Sequence, residues 1–452
     1  MSSGGKASVR QLQLPLEAPG GEAATGTRGE DAPVEGTDLL ERVLEAGNLR
    51  RARPQVRRNQ GAPGVDGLTV DDLGAYLQTH WPTIRAALWE GTYVPQPVRR
   101  TEIPTAGGGT RQLGIPTVLD RFSEQALLQV LQEEWDSTCS ESSYGLRPKR
   151  SAHPAVGQAQ AYIRAGYTWV VDLDLEKVFD RVNHAVRMSR GRRRVKDRRV
   201  VILIHRVLKA GVLTLEGNVE ATGEGTPPGG PLSPLLANLL LDDLDQELEK
   251  RGHRLARYAD DATIYGRSRQ AGERVMASVR RFLERKLRLK VNETTSAVDR
   301  PWNRTCLGCT FTRRPSNRRQ VSEKALKAFK AKVRERTGRT RGRTIRQIVQ
   351  ELRQLMLGWR AFFGLAEGHS PLRDLDKWIR RRLRSYPWKQ WGRRGYRERR
   401  KRGVGRQLAW NTAKSAHGPW RLSQSPALAM ALPQRYFAAL GLPNLSEGGP
   451  SH

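Results

Sequence analysis

Residues 254–266 read Arg254-Leu255-Ala256-Arg257-Tyr258-Ala259-Asp260-Asp261-Ala262-Thr263-Ile264-Tyr265-Gly266. Two β-prone runs flank a short acidic centre, the pattern of a hairpin with adjacent carboxylates at its tip. Like charges held side by side on a hairpin repel, so folding alone gives no reason for the pair. A divalent cation would offset the repulsion, and carboxylate oxygen is the ligand Mg²⁺ favours. Asp also favours ordinary solvated turns, so the tetrad by itself leaves both readings open.

Upstream, Trp169-Val170-Val171-Asp172-Leu173-Asp174 alternates like a strand and ends in a second acidic group. Asp172 and Asp174 share a face, because side chains two apart point the same way. Between the two acidic stretches, Ser233-Pro234 opens a long helix as cap and first-turn pair. Leu235, Leu236, Leu239, Leu240, Leu244 and Leu248 line one stripe of it, and Gly252 is its stop. Earlier in the chain, apolar spacing predicts helices over 37–56, 70–89, 120–135 and 151–165. A turn-rich loop is expected at 60–67, and a hairpin from strands 98–104 and 111–115 around Gly107-Gly108-Gly109. Alternation of this kind predicts an α+β sheet domain with helices on one face. Asp174, Asp260 and Asp261 at one edge of such a sheet would make a pocket for two Mg²⁺ ions roughly 3.5–4 Å apart.

With 452 residues the chain can form several domains, and its formal net charge of +33 points to a polyanionic partner, nucleic acid before an anionic membrane. No run of about 18 apolar residues and no signal-peptide pattern occurs, so a soluble cytoplasmic protein is expected. Cys139, Cys306 and Cys309 are too few for a disulfide framework, and Cys306-Leu307-Gly308-Cys309 lacks a second pair for zinc. The charge is uneven. Residues 1–40 hold three basic and six acidic residues, a net of −3, and read as a disordered leader. Residues 311–410 hold 31 basic and seven acidic residues, a net of +24. There Ile345, Ile348, Val349, Leu352, Leu355, Met356, Trp359 and Phe363 form a helical stripe with arginines on the other faces. Trp378, Tyr386, Trp388, Trp391 and Tyr396 are interleaved with the basic run, an arrangement suited to stacking on unpaired bases.

Six motifs in order carry a specific resemblance. They are Gly61-Ala62-Pro63-Gly64-Val65-Asp66-Gly67, Arg111-Gln112-Leu113-Gly114-Ile115-Pro116-Thr117, Ser142-Ser143-Tyr144-Gly145-Leu146-Arg147-Pro148, the Asp174 strand, Gly225-Thr226-Pro227-Pro228-Gly229-Gly230-Pro231-Leu232-Ser233-Pro234 and the Tyr258 tetrad. From about Leu39 to Leu445 the chain resembles the group II intron reverse transcriptase/maturase family. The resemblance implies a right-hand polymerase: a leader over 1–36, fingers over 37–165, palm over 166–315, a basic helical thumb/maturase domain over 316–445 and a tail over 446–452. It implies Asp174, Asp260 and Asp261 as catalytic metal ligands for Mg²⁺, with Mn²⁺ as an alternative. Phe179 falls where the family excludes a ribose 2′-hydroxyl, and Arg111 where it meets the incoming triphosphate. Gly229 and Gly230 would allow close approach of template and nucleotide, and Asp172 and Asp180 read as supporting or structural acids. The implied partners are intron RNA, an RNA template with DNA primer, dNTPs and target DNA, with no membrane and no endonuclease domain of its own.

The chain departs from the family pattern at Thr105, Val178, Pro228, Thr295 and Cys309. A lysine is usual at the first and fourth, an aromatic at the second and fifth, and Gln at Pro228. Each lost charge-assisted contact would cost about 1.5–3 kcal/mol. Two functions therefore follow: an RNA-directed DNA polymerase that also assists splicing and mobility, or an RNA-binding splicing maturase with weak or lost polymerisation.

Overall fold

The computed structural model describes residues 38–104, 109–175, 195–214, 217–220, 229–313 and 316–446. They fall into two compact units, one of Met1–Ser151 with Val171–Val298 and one of Ala152–Val170 with Asp299–His452. Mixed strands and helices in the first and a helical second agree with the α+β expectation.

In chain order the strands are β1 (Val98–Pro104), β2 (Thr110–Ile115), β3 (Trp169–Leu173), β4 (Val212–Leu213), β5 (Val219–Glu220), β6 (Arg254–Tyr258), β7 (Asp261–Gly266), β8 (Ala297–Asp299), β9 (Cys309–Phe311) and β10 (Arg319–Val321). One four-stranded sheet has the order β2-β1-β4-β5 and the other β6-β7-β3-β8. In the second sheet the alternation works as read. Val171, Leu173 and Leu175 are buried on one face of β3, while Asp172 and Asp174 stay half-buried on the other. β6 and β7 pair antiparallel with Tyr258 opposite Asp261, so the hairpin tip is Ala259-Asp260.

The Ser233–Lys250 helix ties this sheet to the N-terminal helices. Its Leu235, Leu236 and Leu239 join a core built from the helices Leu39–Val43, Ala46–Arg58, Leu73–Trp89 and Val118–Asp136. Leu240, Leu241, Leu244 and Leu248 instead meet Val171, Leu173, Leu255, Ala262 and Ile264 of the sheet, together with Val279 of the Arg269–Phe282 helix. One leucine stripe thus serves two cores, each leucine contributing about 1.5–3 kcal/mol. The first compact unit thus holds residues up to Ser151 together with Val171–Val298.

The helix expected over 37–56 is broken. Glu45 is extended (φ −61°, ψ 137°) and starts a second helix at Ala46. Buried Asn48 donates from Nδ2 to Val43 O at 2.8 Å and Ala126 O at 2.9 Å, which satisfies the carbonyl left at the break. The helix Ala152–Arg164 belongs to the second unit, not the first. Its Gln160 amide donates to Asn317 O and Glu367 Oε2, which fastens it to the β9–β10 region. The sequence-expected cut after residue 315 therefore falls within a unit. That unit is centred on the helices Glu323–Arg336, Ile345–Phe363 and His369–Trp391, around Phe329, Val333, Ile348, Val349, Leu352, Met356, Leu375 and Ile379.

In the first unit, Gly229 and Gly230 pack against the protein itself. A Cβ at Gly229 (φ +132°) would lie 2.1 Å from Gly114 O, and one at Gly230 would lie 2.3 Å from Glu124 Oε2. Leu232 N donates to the same Glu124 oxygen at 3.3 Å. Glu124 is buried, and burial pushes its carboxyl up to about 8 despite that bond. Folded Glu124 then keeps a proton that the unfolded chain releases above its ordinary value of 4.5. Stability from this group is complete below that value and falls as pH rises toward 8. Replacing Glu124 by Gln should stabilise the protein in urea melts at pH 8 but hardly at pH 5, the gap growing by up to about 1.4 kcal/mol per pH unit. An equal offset at both pH values would contradict this.

Candidate active site

The hairpin tip is held by one buried guanidinium. Arg257 is 1% exposed and every N–H it carries has a partner. Nε and Nη2 bind Asp245 at 2.9 and 2.7 Å, and Nη1 donates to Asn238 Oδ1 at 2.9 Å and to Ala259 O at 2.8 Å. The remaining Nη2 hydrogen meets Ser143 Oγ at 2.8 Å. Burial raises the Asp245 carboxyl, and the guanidinium works against that rise. Arg257 therefore joins the Ser233–Lys250 helix, the 142–145 segment and the hairpin tip in one cluster.

The 142–145 segment lies beside β6, with Arg257 N donating to Ser142 O and Tyr144 N donating to Arg257 O. Gly145 presses on the tip, since a Cβ there would lie 2.2 Å from Ala259 N. Ala259 takes a left-handed conformation (φ +57°), a strained one for a residue with a side chain. The bond from Arg257 to its carbonyl holds it there. Asn238, Asp242, Asp245 and Glu249 fall on one polar stripe of an otherwise buried helix. Asp242 accepts from Ser140 N at 2.9 Å, and Glu249 from the Ser140 and Ser142 hydroxyls at 2.5 and 2.7 Å. None of the four helix residues Asn238, Asp242, Asp245 and Glu249 is singled out in the sequence reading. The signal was present as a polar stripe at i, i+4, i+7 and i+11.

On this support the three expected carboxylates come to one end of the sheet. β7 begins at Asp261, its neighbour β3 ends one residue before Asp174, and Asp260 lies between β6 and β7. The Asp261 carboxyl is pushed up to about 6, first by desolvation, then by the charges of Asp260, Asp172 and Asp174. The side chain still opens to solvent on one side. Among the described residues, the charges that shift it are the carboxylates of Asp260, Asp172 and Asp174, a hard-oxygen donor set that suits Mg²⁺ or a similar cation. No three such ligands among the described residues are drawn together as a ready cage.

Thr295, where a lysine was expected, meets Asp174: its hydroxyl donates to Oδ2 at 2.5 Å. Cys309 is fully buried in β9, and burial pushes its thiol up to about 11. Phe179, Asp180, Thr105, Val178 and Pro228 lie outside the described residues, as does the side chain of Arg111. The backbone of Arg111 pairs with Ile103 in the β1–β2 hairpin.

The second unit corrects one expectation. Tyr386 is fully buried and donates its hydroxyl to Arg343 O at 2.7 Å. Trp388 stacks under Arg399 at 4.5 Å, Trp391 under Arg402 at 5.2 Å and Trp378 under Arg334 at 5.5 Å, while Tyr396 meets Trp410 edge-on. These rings are engaged by the protein's own cations and core rather than displayed for bases. Some arginines are structural as well: Arg382 Nε donates to Thr337 Oγ1 at 2.7 Å and Arg384 Nε to Leu432 O at 3.0 Å. The sequence pattern could not separate these from exposed cations, because both share the same helices.

Comparison with known proteins extends the picture. The family profile "Reverse transcriptase (RNA-dependent DNA polymerase)" matches residues 103–311, and "Group II intron, maturase-specific domain" matches residues 326–405. Protein YkfC of Escherichia coli (strain K12) is 37% identical over 47% of this chain and 57% of its own length. The group II intron-encoded protein LtrA of Lactococcus lactis subsp. cremoris is 35% identical over 42% of this chain and 31% of its own. The putative COX1/OXI3 intron 2 protein of Saccharomyces cerevisiae is 28% identical over 48% of this chain and 25% of its own. The chain therefore matches between a quarter and just over half of each of these relatives.

Removing the charge of Arg257 would leave Asp245 buried and unpaired. Arg257→Met should lower unfolding stability by about 3–5 kcal/mol, and the double change Arg257→Met with Asp245→Leu should recover much of it. Urea denaturation measures both. A loss under about 1 kcal/mol in the single variant would show that the pair does not hold the hairpin.

Proposed function

Because the chain belongs to the reverse transcriptases that carry a group II intron maturase-specific domain, we propose that it copies RNA into DNA and also binds intron RNA and assists its splicing. The supporting observation is the gathering of Asp174, Asp260 and Asp261 at one end of the β6-β7-β3-β8 sheet, where burial first and then the neighbouring carboxylates raise Asp261. These three would hold divalent ions, Mg²⁺ first and Mn²⁺ as an alternative. Bound there, such ions supply activation of a primer 3′-hydroxyl and stabilisation of the leaving pyrophosphate.

The protein's own part is positioning. Arg257 fixes the carbonyl of Ala259 and with it the turn that carries Asp260. Gly229 and Gly230 keep the end of their loop against Gly114 and Glu124, next to the helix that carries Asn238 and Asp245. In the proposed division, fingers extend to 165, palm to 315 and thumb/maturase to 445, with Arg111 toward the triphosphate and Phe179 against the ribose 2′ position. Intron RNA, an RNA template with DNA primer, dNTPs and target DNA are the proposed partners, within a cytoplasmic ribonucleoprotein. No described helix is long and apolar enough to cross a membrane.

A splicing role without polymerisation is the second reading. It is favoured by the cationic 311–410 region, whose net charge of +24 follows the three aspartates in the sequence. One pair of assays separates the two. With an RNA template, DNA primer and Mg²⁺, wild type should extend the primer and Asp260→Ala should lose at least about 10³-fold of the rate. Stimulated splicing of intron RNA should survive the same change. Equal primer extension by wild type and variant would contradict the polymerase assignment.

A further inference from the structure

The loop after the Arg269–Phe282 helix closes on Asp174 in a way that strand packing does not require. Two backbone-centred bonds already fasten it: Asn292 N donates to Asp174 O at 2.9 Å, and Asp174 N donates to Ser296 Oγ at 2.9 Å. Leu175 and Val291 also bridge. Beyond these, the loop sends two side chains to one carboxylate oxygen. The Thr295 hydroxyl donates to Asp174 Oδ2 at 2.5 Å, and the Asn292 amide reaches the same oxygen at 3.4 Å. Asn292 is itself braced, since its Oδ1 accepts from Thr294 N and from the Thr294 hydroxyl at 3.1 and 2.7 Å. Among the described residues no protein donor is recorded at Oδ1 of Asp174.

We propose that residues 292–296 form a carboxylate clamp, in which Thr295 and Asn292 are positioning residues that hold Oδ2 of Asp174 and leave Oδ1 to bind a divalent cation. A carboxylate able to rotate presents either oxygen or both, and loses orientation each time an ion arrives. A donor on one oxygen selects a single rotamer and a one-oxygen mode of ligation. Changing a group that orients a metal ligand in this way typically costs about 10–100-fold in metal affinity. A hydroxyl suits the task because it is neutral: it orients the carboxylate without competing for its charge, whereas an ammonium at the same distance would offset the negative charge that attracts the ion. Thr295 is exposed, so changing it removes the clamp and little packing.

The inference rests on the metal-binding reading of the three aspartates, and its test separates the two. Mn²⁺ affinity of the whole protein is measured by electron paramagnetic resonance, with Asp174→Asn identifying the binding that belongs to this site. Thr295→Val should weaken that Asp174-dependent binding by about tenfold, and Thr295→Ser should restore most of it. The melting temperature should stay at the wild-type value in both. In primer extension, Thr295→Val should shift the Mg²⁺ requirement upward by a similar factor and leave the rate at saturating Mg²⁺ closer to wild type. Unchanged Mn²⁺ affinity in Thr295→Val would overturn the clamp, as would equal losses in the Val and Ser variants. Intact clamp behaviour in a protein that extends no primer would instead overturn the polymerase reading alone.

Discussion

The buried pair of Arg257 and Asp245 is the interaction on which the site depends. A guanidinium with all five hydrogens satisfied is rare in a core, and desolvating it is expensive unless the geometry is complete. Here completeness has a use. The partners come from the leucine-rich helix, from the 142–145 segment and from the hairpin tip, so satisfying one side chain forces three pieces of chain into register. An apolar core would bring the same elements together but would not aim a carbonyl. The bond to Ala259 O does, and it holds a left-handed residue directly before Asp260.

That support explains how the carboxylates can be kept close at all. Desolvation first, and then the charges of Asp260, Asp172 and Asp174, raise the Asp261 carboxyl to about 6. Left to itself, a flexible loop would relieve the repulsion by swinging the charges apart. A hairpin tied from beneath cannot, and the 292–296 loop restrains Asp174 from the other side. The like charges therefore stay near enough to raise the Asp261 carboxyl.

Local periodicity made much of this legible. Strand β3 could be read because Val171 and Leu173 alternate with Asp172 and Asp174, and the hairpin could be read because β-prone runs flank a two-residue tip. The break at Glu45 was hidden, since apolar spacing continues through it and only the distant carbonyl of Ala126 explains the role of Asn48. Arg257 escaped notice for a related reason. In the sequence it is one of many arginines, and apart from Ala259 its side-chain partners lie 12 to 114 positions away. The aromatic residues of the basic region misled because stacking on a base and stacking under an arginine call for the same residue types. Tyr386 and Trp388 are engaged within the fold, Tyr386 by a backbone carbonyl and Trp388 by Arg399.

The central claim is that the hairpin tip and the end of β3 form one cation site. Crystals of the protein soaked in Mn²⁺, with anomalous scattering recorded at the manganese edge, address it directly. The account predicts anomalous density bound by Asp174 through Oδ1 and by Asp260 or Asp261, with the Arg257–Asp245 pair intact. Manganese bound only elsewhere on the protein, with these three carboxylates empty, would contradict it.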